Sequence, residues 1–406
     1  MEVGIQVVNN GKLKNSISVS LENLTTYDIA IIGGGLSGLS LAIQSARAGY
    51  KTILFEKEEY PFHRVCGEYI SLESWNFLED LGVPLSDLNL PIIKKLVVTA
   101  PNGKSLTHNL PLGGFGISRH KLDSMLAVIA QKNAVHVLDY TKVQDLSFED
   151  EVFTLQCSPS DKASEIFTIK SRIVCGSFGK RSNLDIKWKR DFVKQKPNKL
   201  NNYIGVKYHI QSDYPEDTIA LHNFRNGYCG ISKIEDNRYC LCYLTTAGEL
   251  DKAGNSIKQM ETDFLYRNPH LKKIFTNSKF LLGDPVIISQ VSFDQKSLVE
   301  NHVLMVGDAA GMITPLCGNG MSMALHGSKI YFQWLQQFFD QKISRTEMEN
   351  GYMQEWHRNF HTRLKTGRIV QSLFGKELLT NIFINTIKPF PKFISYLIRK
   401  THGQPF

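Results

Sequence analysis

Glycines at 33, 35 and 38 and a carboxylate at 56 have the spacing that serves a diphosphate and a ribose. A pyrophosphate is held by backbone N–H groups that must come close to it, which side-chain-free positions permit. A ribose asks for an acceptor facing its hydroxyls, and an acid about twenty residues beyond the glycines supplies one. A second stretch, Val306-Gly-Asp-Ala-Ala-Gly-Met-Ile-Thr-Pro-Leu-Cys-Gly-Asn-Gly-Met321, lies almost 270 residues beyond the first. It pairs an acid, Asp308, with further glycines at 307, 318 and 320.

The elements that must position these groups are legible on either side. The apolar run Ile29 to Ile32 reads as a strand, Gly33-x-Gly35-x-Ser37-Gly38 as a turn, and Leu39 to Ala48, closed by Gly49, as a helix. Gly33 makes the turn, Gly35 admits the pyrophosphate and Gly38 lets the helix pack closely on the strand. Free N–H groups at such a helix start favour an anion by about 0.3–1 kcal/mol per charge at an exposed site. The motif thus positions a dinucleotide while other contacts supply most affinity. A second strand, Lys51 to Phe55, ends in Glu56, an acceptor for ribose hydroxyls that disfavours a 2′-phosphate. Taken alone, this half does not choose between NAD and FAD. In the second stretch Val303 to Val306 reads as a strand running into Gly307-Asp308, with a helix beginning near Met321.

Gly307-Asp308-Ala309-Ala310, Pro315 and Gly318-x-Gly320-Met321 resemble the second FAD motif of the flavoprotein superfamily of para-hydroxybenzoate hydroxylase and geranylgeranyl reductase. The resemblance covers roughly residues 27 to 340. It implies that Asp308 binds the flavin ribityl chain and that backbone donors at the glycines and helix start face the flavin pyrimidine edge. It also implies that Arg119, opening the helical pattern Gly116-Ile-Ser-Arg-His-Lys-Leu-Asp-Ser-Met-Leu126, grips the FAD phosphates. A planar guanidinium suits that bidentate task. Arg64, in Arg64-Val-Cys-Gly67 after the second strand, is grouped with the cofactor residues. The implied fold is α/β. It combines a Rossmann-like FAD-binding domain of the glutathione-reductase type with an inserted β-sheet substrate domain and a helical C-terminus. On that reading residues 1–26 are an N-terminal arm. Segments 27–70, 115–185 and 286–340 make the discontinuous FAD-binding domain, 71–114 and 186–285 the substrate domain, and 341–406 the C-terminal helical region.

Several departures from the superfamily pattern bear on the reaction. Hydroxylases carry Ala-Asp-Gly in their middle motif, whereas Ile173 to Asp185 keeps Gly179 and Ser182 but has Phe178 in place of the acid. Gly311 follows Gly-Asp-Ala-Ala, as in the reductases, and Cys66-Gly67 resembles a Cys-Gly element that they carry near the flavin. Asn226-Gly-Tyr-Cys-Gly-Ile-Ser-Lys233 partly matches the reductase cavity segment Gly-Tyr-x-Trp-x-Phe-Pro, with Gly230 replacing Trp. A wider or differently shaped pocket is expected there. Tyr228 either offers its O–H beside the substrate or packs within a strand, and Cys66 is either a proton donor or an inert thiol.

The resemblance therefore implies an FAD-dependent oxidoreductase closer to the geranylgeranyl reductase-like branch. Its reaction is hydride transfer from reduced flavin to a double bond of an isoprenoid-like or polyene substrate. The alternative is a monooxygenase hydroxylating an aromatic or polyene substrate with O2 and NAD(P)H. No further glycine fingerprint with strand, helix and acid follows residue 100, so the electron donor is expected to be NAD(P)H entering from the substrate side, or a ferredoxin.

Composition sets the outer bounds. The 406 residues, 42% of them hydrophobic, suit two or three domains of a globular enzyme. Seven scattered cysteines (66, 157, 175, 229, 240, 242, 317) form no Cys-x-x-Cys pair, which argues against a disulfide framework and a structural zinc. Cys240 and Cys242, two apart in a strand pattern, share one face as core packing. No signal-type apolar region and no 18-residue apolar run occurs, so a cytoplasmic protein is expected, with no spanning helix. Residues 363–406 hold eight Lys or Arg against one acid, Glu377, or +7 of the chain's net +8. Interleaved with them are Phe390, Phe393, Ile394, Tyr396 and Leu397, a pattern that suits either peripheral contact with an anionic membrane or helices that cap the substrate domain. No recognised nucleic-acid module accompanies the charge.

Overall fold

The computed structural model describes residues 26–196, 201–314, 318–373 and 377–406. Apart from Thr26, the arm expected over 1–26 lies outside them, as do Pro315 and Cys317.

A run buried on both faces belongs in the middle of a sheet, and β1 (Thr26–Ile32) is such a run. On one side it pairs in parallel with β2 (Thr52–Phe55), which pairs with β6 (His136–Leu138). On the other it pairs with β9 (Phe167–Gly176), then β17 (Val303–Met305), edged by the antiparallel β16 (Val299–Glu300). An antiparallel pair, β7 (Thr141–Glu149) and β8 (Val152–Pro159), is attached through β9 and completes eight strands among the described residues. The two glycine stretches thus follow strands separated by β9 alone.

A second sheet holds nine described strands: β3 (Tyr69–Ser71), β4 (Ile92–Thr99), β5 (Ser105–Gly116), β10 (Tyr203–Gln211), β11 (Thr218–Phe224), β12 (Gly227–Ile234), β13 (Arg238–Thr246), β14 (Lys279–Phe280) and β15 (Val286–Val291). All its pairings are antiparallel except β4 with β11. The segment 286–291, grouped from sequence with the FAD-binding domain, pairs with β10 in this second sheet. The backbone edge of β10 gives its N–H and C=O groups partners that the first sheet does not offer there.

Side-chain alternation gives the second sheet two unlike faces. Ile204, Val206, Tyr208 and Ile210 of β10, with Ile231, Leu241 and Tyr243, form a core with Met260, Leu271 and Phe275. These come from α7 (Ile257–Asp263) and α8 (Pro269–Asn277), which follow α6 (Ala247–Lys252). The residues between them, Lys207, His209, Cys240 and Ser232, reach the other way, to the 64–68 loop of the first layer.

The helices of the first layer are α1 (Leu36–Arg47), the short α2 (Trp75–Asp80), α3 (Arg119–Lys132), and the short α4 (Asn183–Lys187) and α5 (Asp191–Lys194). Toward the C-terminus follow α9 (Gly320–Phe339), α10 (Arg345–Leu373), α11 (Glu377–Ile387) and α12 (Pro391–Thr401). Ser40 and Ser328 meet side chain to side chain at 2.7 Å. A Cβ on Gly307 would lie 2.5 Å from Ser37 Oγ and 3.7 Å from the Ala324 methyl group. α1 and α9 therefore run side by side in the same direction, their N-terminal ends converging on Gly307.

Gly307 has φ +60 as well as this contact, so a side chain there is strained twice. Gly307→Ala should destabilise the protein by about 1–3 kcal/mol in denaturant unfolding. Gly283→Ala, at a position where a Cβ meets nothing within 4 Å, should stay within about 0.5 kcal/mol of the parent.

Candidate active site

The three glycines of the first turn have measurably different surroundings. A Cβ on Gly33 would strike the Ser177 carbonyl, and one on Gly38 would strike the Gly33 carbonyl, so both positions are closed by protein backbone. At Gly35 the nearest atom is Arg119 Nη2 at 3.6 Å, leaving its open side to a group that approaches the backbone. α1 begins directly after it, with no side chain capping its first amides and no acid in its first turn. Such an end is suited to an anion. Tyr60 donates its hydroxyl to the Gly34 carbonyl at 2.5 Å and closes the turn from behind.

Glu56 is buried and accepts hydrogen bonds from the Gly34 N–H at 2.9 Å, the Glu58 N–H at 3.1 Å and Arg64 Nη2 at 2.7 Å. Two of these fall on Oε2 and one on Oε1, so an acceptor direction remains on Oε1 for a ribose hydroxyl. Arg64 also donates to Asp123 at 3.1 Å, while Arg119 forms a two-pronged pair with the same Asp123, both bonds 2.7 Å long. Each guanidinium keeps further N–H donors. Asp123, which sequence reading did not single out, is thus the fixed point for both arginines. Its place four residues after Arg119 on one helix face was the signal available.

The second turn is fixed from beneath by two buried cations. Lys296 donates to the carbonyls of Asp308 at 2.7 Å and Lys180 at 2.8 Å, while Arg190 donates to the Ala309 carbonyl at 3.1 Å and pairs with buried Asp185 at 2.7 Å. Burial lowers the Lys296 ammonium to about 8 against the attraction of Asp308. The Asp308 side chain is exposed and accepts no hydrogen bond from the described residues. It stands in a shallow recess that Gly307, Gly311, Gly320 and Trp356 also line. The protein walls of that cleft raise its carboxyl above the ordinary value, with Lys296 and Arg119 opposing. Its carboxylate oxygens are open to the hydroxyls of an incoming chain. The free α1 amides, the open side of Gly35 and Asp308 all suit a flavin dinucleotide, held between the two turns.

Among the other residues singled out from sequence, Gly318 has φ +64 and lies against the Tyr69 ring, and Gly320 opens α9. Buried Met321 receives the Cys66 S–H at 3.6 Å, which brings the Cys-Gly element to the second turn. Ser37 Oγ meets Ser177 Oγ at 3.0 Å. Burial raises the Cys66 thiol, opposed by Arg119, and this favours its neutral form. Tyr228 is not beside it. Cys66 and Gly67 rest on Cys240 and Ser232, whereas Tyr228 is four strand residues from Ser232, roughly 13 Å along β12. Tyr228 lies instead in an apolar cluster with Leu221, Leu244, Ile384 and Ile394, joined by Met312 from the second turn.

The parallel sheet, with two glycine turns and two helix starts brought together at one end, defines a dinucleotide-binding protein of the glutathione-reductase type. The chain belongs to the FAD binding domain family, which it matches over residues 26–342. It is 24% identical over 363 residues to conditioned medium factor receptor 1 of Dictyostelium discoideum, covering 84% of this chain and 70% of that one. It is 25% identical over 372 residues to digeranylgeranylglycerophospholipid reductase of Methanococcus vannielii, covering 87% and 89%. Among solved structures, the flavin-dependent brominase Bmp2 matches with a TM-score of 0.76 at 18% identity, covering 93% of each chain. A geranylgeranyl bacteriochlorophyll reductase-like protein of Thermoplasma acidophilum matches with a TM-score of 0.75 at 16% identity, covering 95% of this chain and 97% of that one. The protein is an FAD-dependent oxidoreductase.

Buried Glu68 supplies a pH test of this architecture. Burial would raise its carboxyl, but Lys207 and His209 outweigh it and bring it down to about 2. An acid depressed in the folded state contributes stability above its unfolded value of about 4.5, and that contribution is lost as pH falls. Unfolding midpoints followed by circular dichroism should therefore fall between about pH 4.5 and 2, and Glu68→Gln should flatten that part of the profile.

Proposed function

We propose that this protein reduces a carbon–carbon double bond of a hydrophobic, isoprenoid-like chain. The observation that carries this reading is the apolar cluster in which the second sheet, Met312 of the second turn and the C-terminal helices meet. Leu221, Leu244 and Tyr228 of the sheet pack against Ile384 and Ile394 of α11 and α12 in a buried apolar layer that reaches Met312 of the cofactor turn, and a chain-like substrate would lie along this layer where the helices part from the sheet. Partly exposed Gly230 lies between Tyr228 and Ser232 on that face, with a Cβ there meeting nothing nearer than 3.6 Å. The name of the reductase relative in Methanococcus vannielii supports the same substrate class.

Bound FAD would supply the hydride. We assign its phosphates to the α1 amides at Gly35 and to Arg119 and Arg64, a ribose hydroxyl to Glu56, the ribityl hydroxyls to Asp308, and the flavin edge to the Gly318–Met321 turn with Pro315 nearby in sequence. We assign to Cys66, neutral and beside Met321, the proton given to the carbon opposite the hydride. Tyr228 shapes the apolar end. Electrons come from NAD(P)H or a ferredoxin. Anaerobic incubation of the FAD-loaded, dithionite-reduced protein with geranylgeranyl lipids should give the saturated product by mass spectrometry. A product formed only in air and carrying a new oxygen would instead assign a monooxygenase. Cys66→Ser should slow anaerobic turnover by about 10²-fold or more if the thiol is the acid, with FAD binding retained.

We further propose that the substrate enters from an anionic membrane. No helix among the described residues is long and apolar enough to cross one. However, α12 turns Ile394 and Ile398 inward and leaves Phe393 and Tyr396 exposed, with Phe390 and Ile382 beside them. Lys388, Lys392, Arg399 and Lys400 are exposed on the same segment. Each basic residue near an anionic surface contributes about 1 kcal/mol, so attachment is reversible and salt-sensitive. The protein should float with phosphatidylglycerol vesicles and not with neutral ones, and Phe390→Ser with Phe393→Ser should abolish flotation.

A further inference from the structure

Glu68 is fully buried and held at φ +54, in the left-handed region that a side-chain-bearing residue seldom adopts. Its two carboxylate oxygens reach three separate parts of the molecule. Oε1 accepts the Arg119 backbone N–H at 2.8 Å, at the first turn of α3, and pairs with Lys207 Nζ. Oε2 accepts His209 Nε2 at 2.6 Å. Lys207 and His209 belong to β10 of the second sheet, and Lys207 also donates to the Arg64 carbonyl at 3.1 Å. The loop that carries Arg64, Cys66 and Gly67 is thereby closed at both ends by one buried ion cluster. Ser232 and Cys240, donating to the carbonyls of Gly67 and Cys66 at 3.1 Å each, tie its middle to β12 and β13.

A buried carboxylate with two basic partners is a poor way to gain stability, because desolvation offsets most of the attraction. Its use lies in geometry: the three parts can keep these bonds only in one mutual arrangement. We propose that Lys207, Glu68 and His209 are positioning residues that couple the substrate sheet to the cofactor arginines, so that a change on β10 alters binding of the cofactor. None of the three is placed on FAD or on the substrate. They act through Arg119, whose first-turn amide Glu68 holds, through Arg64, whose carbonyl Lys207 holds, and through Cys66, carried between them. The cofactor arm of this inference rests on the FAD reading above; the loop arm does not.

Both arms are testable on the full chain. In cofactor-free protein the alkylation rate of Cys66 by iodoacetamide, read by peptide mass mapping, reports how firmly the loop is held. FAD affinity is read separately by flavin fluorescence titration. His209→Leu and Lys207→Met should each raise the alkylation rate and weaken FAD binding by about five-fold or more, the size of an ordinary coupling between sites. His209→Gln, which keeps an N–H donor, should return both toward the parent. Tyr208→Phe is the structural control, since it removes a hydrogen bond to Glu261 from the opposite face of the same strand. Unchanged alkylation in both breaking variants would overturn the anchoring of the loop. Faster alkylation with unchanged FAD affinity would overturn the coupling, as would an equal response from Tyr208→Phe. Failure of the parent itself to bind FAD would instead overturn the functional reading, leaving the alkylation comparison to judge the loop.

Discussion

Everything in the cofactor half depends on how closely two backbone turns approach each other. Gly307 can lie against Ser37 because neither a Cβ nor an ordinary backbone angle stands at that point. This contact brings together the starts of two helices whose sequences are separated by most of the chain. Their aligned dipoles then act on one region, and a fixed positive field at a helix start needs no rearrangement when a negative group arrives. The parallel order β2-β1-β9-β17 is what makes the approach possible, since it sets the second turn at the same end of the sheet as the first.

The second sheet solves a different problem. One face is a closed apolar core against short helices, and the other must be polar enough to hold a loop and apolar enough to pack against the C-terminal helices. It meets both needs by position along the strands. Lys207, His209, Cys240 and Ser232 occupy the end nearest the loop, and Leu244, Tyr228 and Leu221 the end beneath α11 and α12. The polar end fixes the Arg64–Glu68 loop while the apolar end seats the C-terminal helices.

The first turn, Glu56, the second turn and the strands β1, β2 and β17 that lead into them were legible in the sequence because each is a local pattern: glycines at set intervals, β-branched runs, an acid closing a strand. The second-sheet membership of 286–291 was not, since edge pairing depends on which backbone stands open nearby. Arg119 was found by its place at a helix start, yet Asp123, which fixes its orientation, was passed over on the same helix face. Glu68 could not have been found by pattern. Its partners lie 139 and 141 residues away, and its meaning comes from their convergence rather than from its neighbours. The same holds for Lys296 and Arg190, whose targets are carbonyl groups that any residue type could supply.

Sulfur lines the meeting point of the two halves: the Cys66 thiol touches the Met321 thioether, and Cys240 binds the carbonyl of residue 66. Such a wall is soft and polarizable. Oxidation of Met321 would turn an apolar thioether into a polar sulfoxide within the packing that joins the Cys66 loop to the glycine turn, so one added oxygen atom would set the two halves apart.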